Sequence, residues 1–131
     1  MTGPDVLPPR VRVVIADDSP DLRTILRRLF EHDGRFEVVA EADNGEEVIK
    51  RALEQQPDVV LVDLSMPVLS GGDAIPEIRE AAPSAKVVVL SGFGFHDLGD
   101  AADLRADAFI EKGAGIDEIV RMVAEVVGRV E

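Results

Sequence analysis

A chain of 131 residues fits one domain and can bury on the order of two thirds of its unfolded surface, enough for a core without cross-links. It contains no cysteine, which excludes disulfide frameworks, thiolate zinc sites and cysteine nucleophiles. The formal net charge of −12 opposes direct binding to the phosphate backbone of nucleic acid, and the longest apolar runs are four residues, against the ~20 of a membrane span.

With no Trp or Tyr and five Phe, the core must be aliphatic. Residues 1–10 carry three prolines and no apolar h-region, so they read as a disordered N-terminal tail rather than a signal peptide. Residues 11–131 form the body, expected to be soluble and cytoplasmic.

Two patterns alternate along that body. Short apolar runs rich in β-branched residues occupy 11–16, 36–40, 59–62, 87–90 and 108–110. Helical periods lie between them. Leu22, Ile25, Leu26, Leu29 and Phe30 recur at i, i+3, i+4, i+7 and i+8, one apolar stripe, with Ser19 as N-cap and Pro20 at the first helical position. The second helix starts at Asn44, with Glu47 three residues on as a capping box, and faces the core with Val48, Ile49, Ala52 and Leu53. A third spans about 72–82 on Ile75 and Ile78, and Pro76 is tolerable there only in the first turn. The segment 95–105 should hold a fourth helix, short or mobile, because Gly99, Asp97, Asp100 and Asp103 break its stripe. The last helix spans about 116–130 and carries Ile119, Val120, Val123, Val126, Val127 and Val130.

Strands separated by helices imply a parallel sheet with right-handed crossovers. The continuously apolar runs at 59–62 and 87–90 suit strands covered on both faces, so the fold class is α/β, a doubly wound five-stranded parallel sheet. Ligands of such sheets bind at the carboxyl ends of the strands. Asp17 and Asp18 follow the first run, Asp63 the third, Ser91 the fourth and Lys112 the fifth. Three carboxylates in one place suit Mg²⁺, which takes carboxylates, waters and a phosphate oxygen, and a neighbouring lysine can ion-pair a phosphoryl group. An Asp after a strand often serves only as a helix cap. Here Ser19 and Asn44 already supply caps, and Asp63 precedes Met66-Pro67 rather than a helix start.

Asp17-Asp18, the stretch Asp58-Val-Val-Leu-Val-Asp63-Leu-Ser65-Met66-Pro67 followed by Gly71, Val-Val-Val-Leu-Ser91, and Phe109-Ile-Glu-Lys112 together resemble the receiver domains of two-component response regulators, the CheY-like superfamily. The likeness covers about 11–130, so 11–131 is read as the receiver domain. It implies a flavodoxin-like (βα)5 fold with strand order 2-1-3-4-5. It further implies that Asp63 accepts a phosphoryl group from a sensor histidine kinase. Asp17 and Asp18 would hold Mg²⁺ with Asp63 and the backbone carbonyl of Ser65, Asp18 being the direct ligand of the pair. Ser91 would be the switch hydroxyl, Lys112 the cation partner of the phosphoryl group, and Phe109 the aromatic whose rotamer follows phosphorylation. The face made by the fourth helix, the fifth strand and the last helix would carry the signal. Such a domain is no enzyme beyond catalysing its own phosphotransfer and dephosphorylation.

Gly113-Ala114 after the lysine resembles the NarL/FixJ/LuxR-type subfamily, whose outputs are helix-turn-helix domains in transcription regulation. Whether this chain stands alone or precedes such an output domain stays open, as does a homodimer through the last-helix face. The resemblance departs from its pattern in a Ser91-to-Lys112 segment about one residue short, and in Arg105 where a glycine is usual. Phe93 and Ser65 occupy positions that tune phosphoryl lifetime in the family. His32 and His96 are given no role. Two other readings remain. One is a Mg²⁺-dependent phosphohydrolase of the haloacid-dehalogenase type, which needs a nucleophile and an acid two residues apart, where Asp17 is followed by Asp18 and then Ser19. The other is a phosphorylation-independent interaction module with the same fold.

Overall fold

The computed structural model describes residues 9–64, 66, 71–91 and 106–128. The expected 95–105 helix, residues 1–8, Ser65, Phe93, His96 and Val130 lie outside them. The described chain runs β1 (Val11–Ala16), α1 (Pro20–Asp33), β2 (Phe36–Ala42), α2 (Gly45–Gln55), β3 (Val59–Asp63), α3 (Gly71–Ala81), β4 (Lys86–Ser91), β5 (Ala108–Glu111), a 3-10 turn (Lys112–Ala114) and α4 (Ile116–Val126). All strand pairs are parallel, in the order β2-β1-β3-β4-β5. The expected sheet is thus the observed one, with four helices described.

Alternation along the strands builds two cores. Val13, Ile15, Val59, Leu61, Val88 and Leu90 meet Leu26 and Phe30 of α1 and Ile119 and Val123 of α4. Val14, Ala16, Val60, Val62, Val87 and Val89 meet Val48 and Ala52 of α2 and Ile75 and Ile78 of α3. Covered on both faces, the central strands can be apolar at every position.

Local signals place the helix starts. Ser19 Oγ accepts from Leu22 N at 3.2 Å and Pro20 opens α1, while Asn44 Oδ1 accepts from Glu47 N at 2.8 Å. Gly34 ends α1 at φ 91°, a left-handed position that suits glycine.

Four expectations are corrected. Ile25 is 42 % exposed and Leu53 61 %, so neither joins the core; each lies at the margin of its stripe, beyond the sheet's reach. Pro76 sits in the second turn of α3, not the first, and its missing N–H leaves one link of the helical ladder open. The last helix stops at Val126, four residues early, because Val127 leaves helical geometry and Gly128 adopts φ 81°.

One irregularity interrupts the sheet. In the β1–β2 ladder Val13 pairs with Val38 but Val14 pairs with Ala40, so Val39 is an extra residue in β2. Side chains beyond this bulge switch faces. Glu41, now opposite Ile15, therefore stands on the α1 side of the sheet.

Candidate functional site

The order of the strands makes the site. β1 is flanked by β2 on one side and β3 on the other, so chain leaving β1 and β3 opens a crevice at their carboxyl ends. Ala16 pairs with Val62, which sets the next residues, Asp17 and Asp63, side by side. Both are buried, at 0 % and 1 % exposure, and are the only buried charged residues among those described. Asp18 is exposed beside them. One oxygen from each of the three carboxylates falls within a 4.8 Å group.

Lys112 enters from β5, two strand spacings or about 10 Å from β3. Its four-carbon stem closes that gap. Nζ lies 3.0 Å from Asp17 Oδ2 and 3.2 Å from Asp63 Oδ2. Burial alone would push the Lys112 ammonium down, but the hydrogen bond to Asp17 and the charges of Asp63 and Asp17 outweigh it and hold its pKa above the ordinary 10.5.

Asp17 is hydrogen-bonded at three further positions. Oδ1 accepts from Ser19 N at 2.9 Å, its backbone N donates to Ala42 O at 3.0 Å, and its backbone carbonyl accepts from Arg23 Nη1 at 2.6 Å. Arg23 Nε also pairs with Glu41 Oε1 at 3.0 Å, and Arg27 Nε reaches Glu41 Oε2 at 2.8 Å. Arg23, Arg27 and Glu41 are not among the residues that the strand-end pattern of the sequence marks. The i, i+4 spacing of the two arginines was the available signal; their carboxylate partner depended on the bulge.

Formally, three carboxylates (−3) and one ammonium (+1) leave −2 in a small, partly buried volume. An all-oxygen set with residual −2 charge fits a hard divalent cation such as Mg²⁺. Carboxylates gathered this closely repel one another, and a cation relieves that repulsion.

Of the other expected residues, Ser91 closes β4 and pairs with Glu111, although its side chain is outside the description. Phe109 is half-buried on β5, opposite Val89, and packs on the apolar cluster under α2 and α3. Gly115, at φ 100°, turns the chain from the Lys112 turn into α4, a backbone conformation that favours glycine. His32 is exposed near the end of α1.

A parallel 2-1-3-4-5 sheet with acidic residues and a lysine at its carboxyl edge defines a doubly wound α/β fold with its site at the strand ends. Comparison with known proteins narrows it. The family model described as response regulator receiver domain matches residues 13–124, and the chain belongs to that family. The chemotaxis protein CheY of Listeria monocytogenes is 37 % identical over 111 residues, covering 84 % of this chain and 92 % of CheY. The signal receiver domain of the putative response regulator NarL from Mycobacterium tuberculosis superposes with a TM-score of 0.84 at 30 % identity, covering 92 % of this chain and 98 % of that one. A chain of the CheX-CheY-BeF3-Mg²⁺ complex from Borrelia burgdorferi gives a TM-score of 0.80 at 27 % identity, with 88 % of each chain covered. The chain is therefore a receiver domain of the two-component type, a signalling module. None of its described helices is long and apolar enough to cross a membrane.

Proposed function

We propose that Asp63 accepts a phosphoryl group from a sensor histidine kinase in a Mg²⁺-dependent reaction, and that the modification switches the face of the domain carrying β5 and the last helix. The observation that carries the reading is the juxtaposition of buried Asp63 with Asp17 and Lys112, since a lone buried carboxylate would be costly without a task or a partner. An Asp63 oxygen attacks phosphorus, the phosphorus–nitrogen bond of the donor phosphohistidine breaks, and its electron pair stays on the imidazole nitrogen, which takes up a proton. Attack of water on the resulting acyl phosphate returns the carboxylate and inorganic phosphate.

Asp17, Asp18 and Asp63 would hold the Mg²⁺, with the backbone carbonyl of Ser65 completing the protein ligands. Mg²⁺ bound there supplies charge neutralisation between an anionic nucleophile and an anionic phosphoryl group. Lys112 already bridges Asp17 and Asp63, so its ammonium is within reach of charge added at Asp63. Phosphorylation adds negative charge and acceptor oxygens, which Lys112 and the Ser91 hydroxyl can answer. Movement of Ser91 toward the phosphoryl group would free space for half-buried Phe109 on the neighbouring strand, coupling the site to the β5 surface. A regulator of transcription with a helix-turn-helix output, or a stand-alone CheY-like domain, would use the same face. The BeF3 and Mg²⁺ named in the Borrelia complex agree with this chemistry.

Intact mass after incubation with acetyl phosphate tests the reading. The expected result is one added phosphoryl group that requires both Mg²⁺ and Asp63, lost with EDTA and in Asp63→Asn. No gain under any condition overturns it in favour of a phosphorylation-independent interaction module. Identical NMR spectra of Phe109 and α4 with and without beryllofluoride would refute the switch alone.

A further inference from the structure

We propose that Arg23 is a positioning residue for the metal site, gripping the peptide that joins Asp17 to Asp18. This rests on the Mg²⁺ reading above and adds a residue to it. Arg23 Nη1 donates to the Asp17 carbonyl at 2.6 Å, and that oxygen belongs to the Asp17–Asp18 peptide bond. A peptide is planar, so fixing its carbonyl fixes the direction in which the chain enters Asp18. Asp17 has its own holds through Ser19 N, Lys112 and Ala42 O. Asp18 is exposed, and the plane of the preceding peptide is what aims it.

The guanidinium is itself anchored. Its Nε pairs with Glu41, which also takes Arg27, so one carboxylate from β2 holds two arginines spaced i, i+4 along α1. Glu41 reaches that side of the sheet only because the extra residue Val39 turns the end of β2 over. The bulge, the ion pair and the carbonyl contact form one chain of causes from the sheet edge to the metal ligands. Arg23 is mostly buried, with its side chain 18 % exposed, so the contact is shielded from solvent.

The sign of the effect separates this from simple electrostatics. Arg23 is a cation beside a cation site, and removing it by charge alone would tighten Mg²⁺ binding. A positioning role predicts the reverse. Partners that orient metal ligands commonly cost about 10-fold or more in affinity when removed, and Arg23→Gln is expected to weaken Mg²⁺ by about that factor. Arg27→Gln is the control, because it removes the same charge from the same carboxylate without touching the carbonyl.

The experiment is calorimetric titration of the whole domain with Mg²⁺ at fixed ionic strength, with amide NMR shifts of Asp18 followed in parallel. Expected are weaker binding in Arg23→Gln, partial recovery in Arg23→Lys, and unchanged or slightly tighter binding in Arg27→Gln. Equal or tighter binding in Arg23→Gln overturns the proposal, as does a lower melting temperature in EDTA with Mg²⁺ affinity unchanged, which would mark a purely structural ion pair. If Arg23→Gln fails to fold, Arg23→Lys decides by the same comparison with Arg27→Gln. Absence of Mg²⁺ binding by the unmodified domain would remove the metal reading and this proposal together; binding by that domain, matched by Arg23→Gln, removes only the proposal.

Discussion

Lys112 Nζ stands 3.2 Å from Asp63 Oδ2, although the two residues leave strands that are separated by β4. With Asp17 on its other side at 3.0 Å, the ammonium is the counter-charge of two carboxylates that the core would otherwise reject. Its strength should therefore appear in the pH dependence of folding as well as in phosphate chemistry.

The folded-state pKa of Lys112 lies above its unfolded value near 10.5. A raised pKa contributes stability that is fully present below the unfolded value and is lost as pH rises through the folded one. Urea unfolding of the domain between pH 9 and 12 should show the difference between the unmodified protein and Lys112→Gln shrinking toward zero above about pH 10.5. A difference that stays constant through that window would mean that the ion pair adds nothing to folding.

Mg²⁺ should stabilise the native state by mass action, about 2.7 kcal/mol at a free concentration 100 times its Kd, because the unfolded chain has no such cluster. Asp18→Asn should abolish that gain. In EDTA the same variant should unfold at a higher urea concentration than the parent, since it removes one of three mutually repelling carboxylates and breaks no ion pair among the described residues. Paired urea titrations with Mg²⁺ and with EDTA check both signs.

Asp107, just ahead of β5, holds the far edge of the sheet. Its Oδ2 accepts from Val87 N at 2.8 Å and from Arg79 Nη2 at 2.9 Å. Asp107→Ala should cost about 1–3 kcal/mol because it leaves the Val87 N–H without its acceptor, whereas Arg79→Ala, which removes the partly exposed ion pair to Asp107 and leaves the Val87 bond in place, should cost less than about 1. Equal losses from thermal or urea unfolding would contradict the backbone hydrogen bond as the dominant contact.

Phe30 and Leu53 contrast two apolar helix residues. Phe30 is fully buried, with its ring edge-on to Phe36 at 5.0 Å between centroids, and Phe30→Ala should destabilise by about 3–5 kcal/mol. Leu53 is mostly exposed, and Leu53→Ala should fall within about 0.5 kcal/mol of the parent. Denaturant midpoints of the two variants settle the assignment.

The parts of this domain that depend on near neighbours were legible. Ser19 with Pro20, and Asn44 three residues before Glu47, mark helix starts because a cap bonds within its own first turn. The apolar runs at 59–62 and 87–90 mark central strands because burial on both faces leaves no room for polar residues. The exposure of Ile25 and Leu53 is not legible in the sequence, because a helical period defines a stripe but not how wide a band the sheet will cover. The end of α4 is hidden from the sequence pattern because valines continue past the point where Gly128 turns the backbone.

By itself the sequence determined the element order, the parallel sheet and the set of acidic and basic residues at the strand ends, since periodicity, caps and chain direction are local properties. Only the tertiary structure decided how those residues meet. The β1–β3 register sets Asp17 beside Asp63, Lys112 crosses β4 to reach both, and one extra residue in β2 delivers Glu41 to Arg23. A one-residue step in register moves a side chain to the other face of a sheet, and no local pattern in a single strand carries that information.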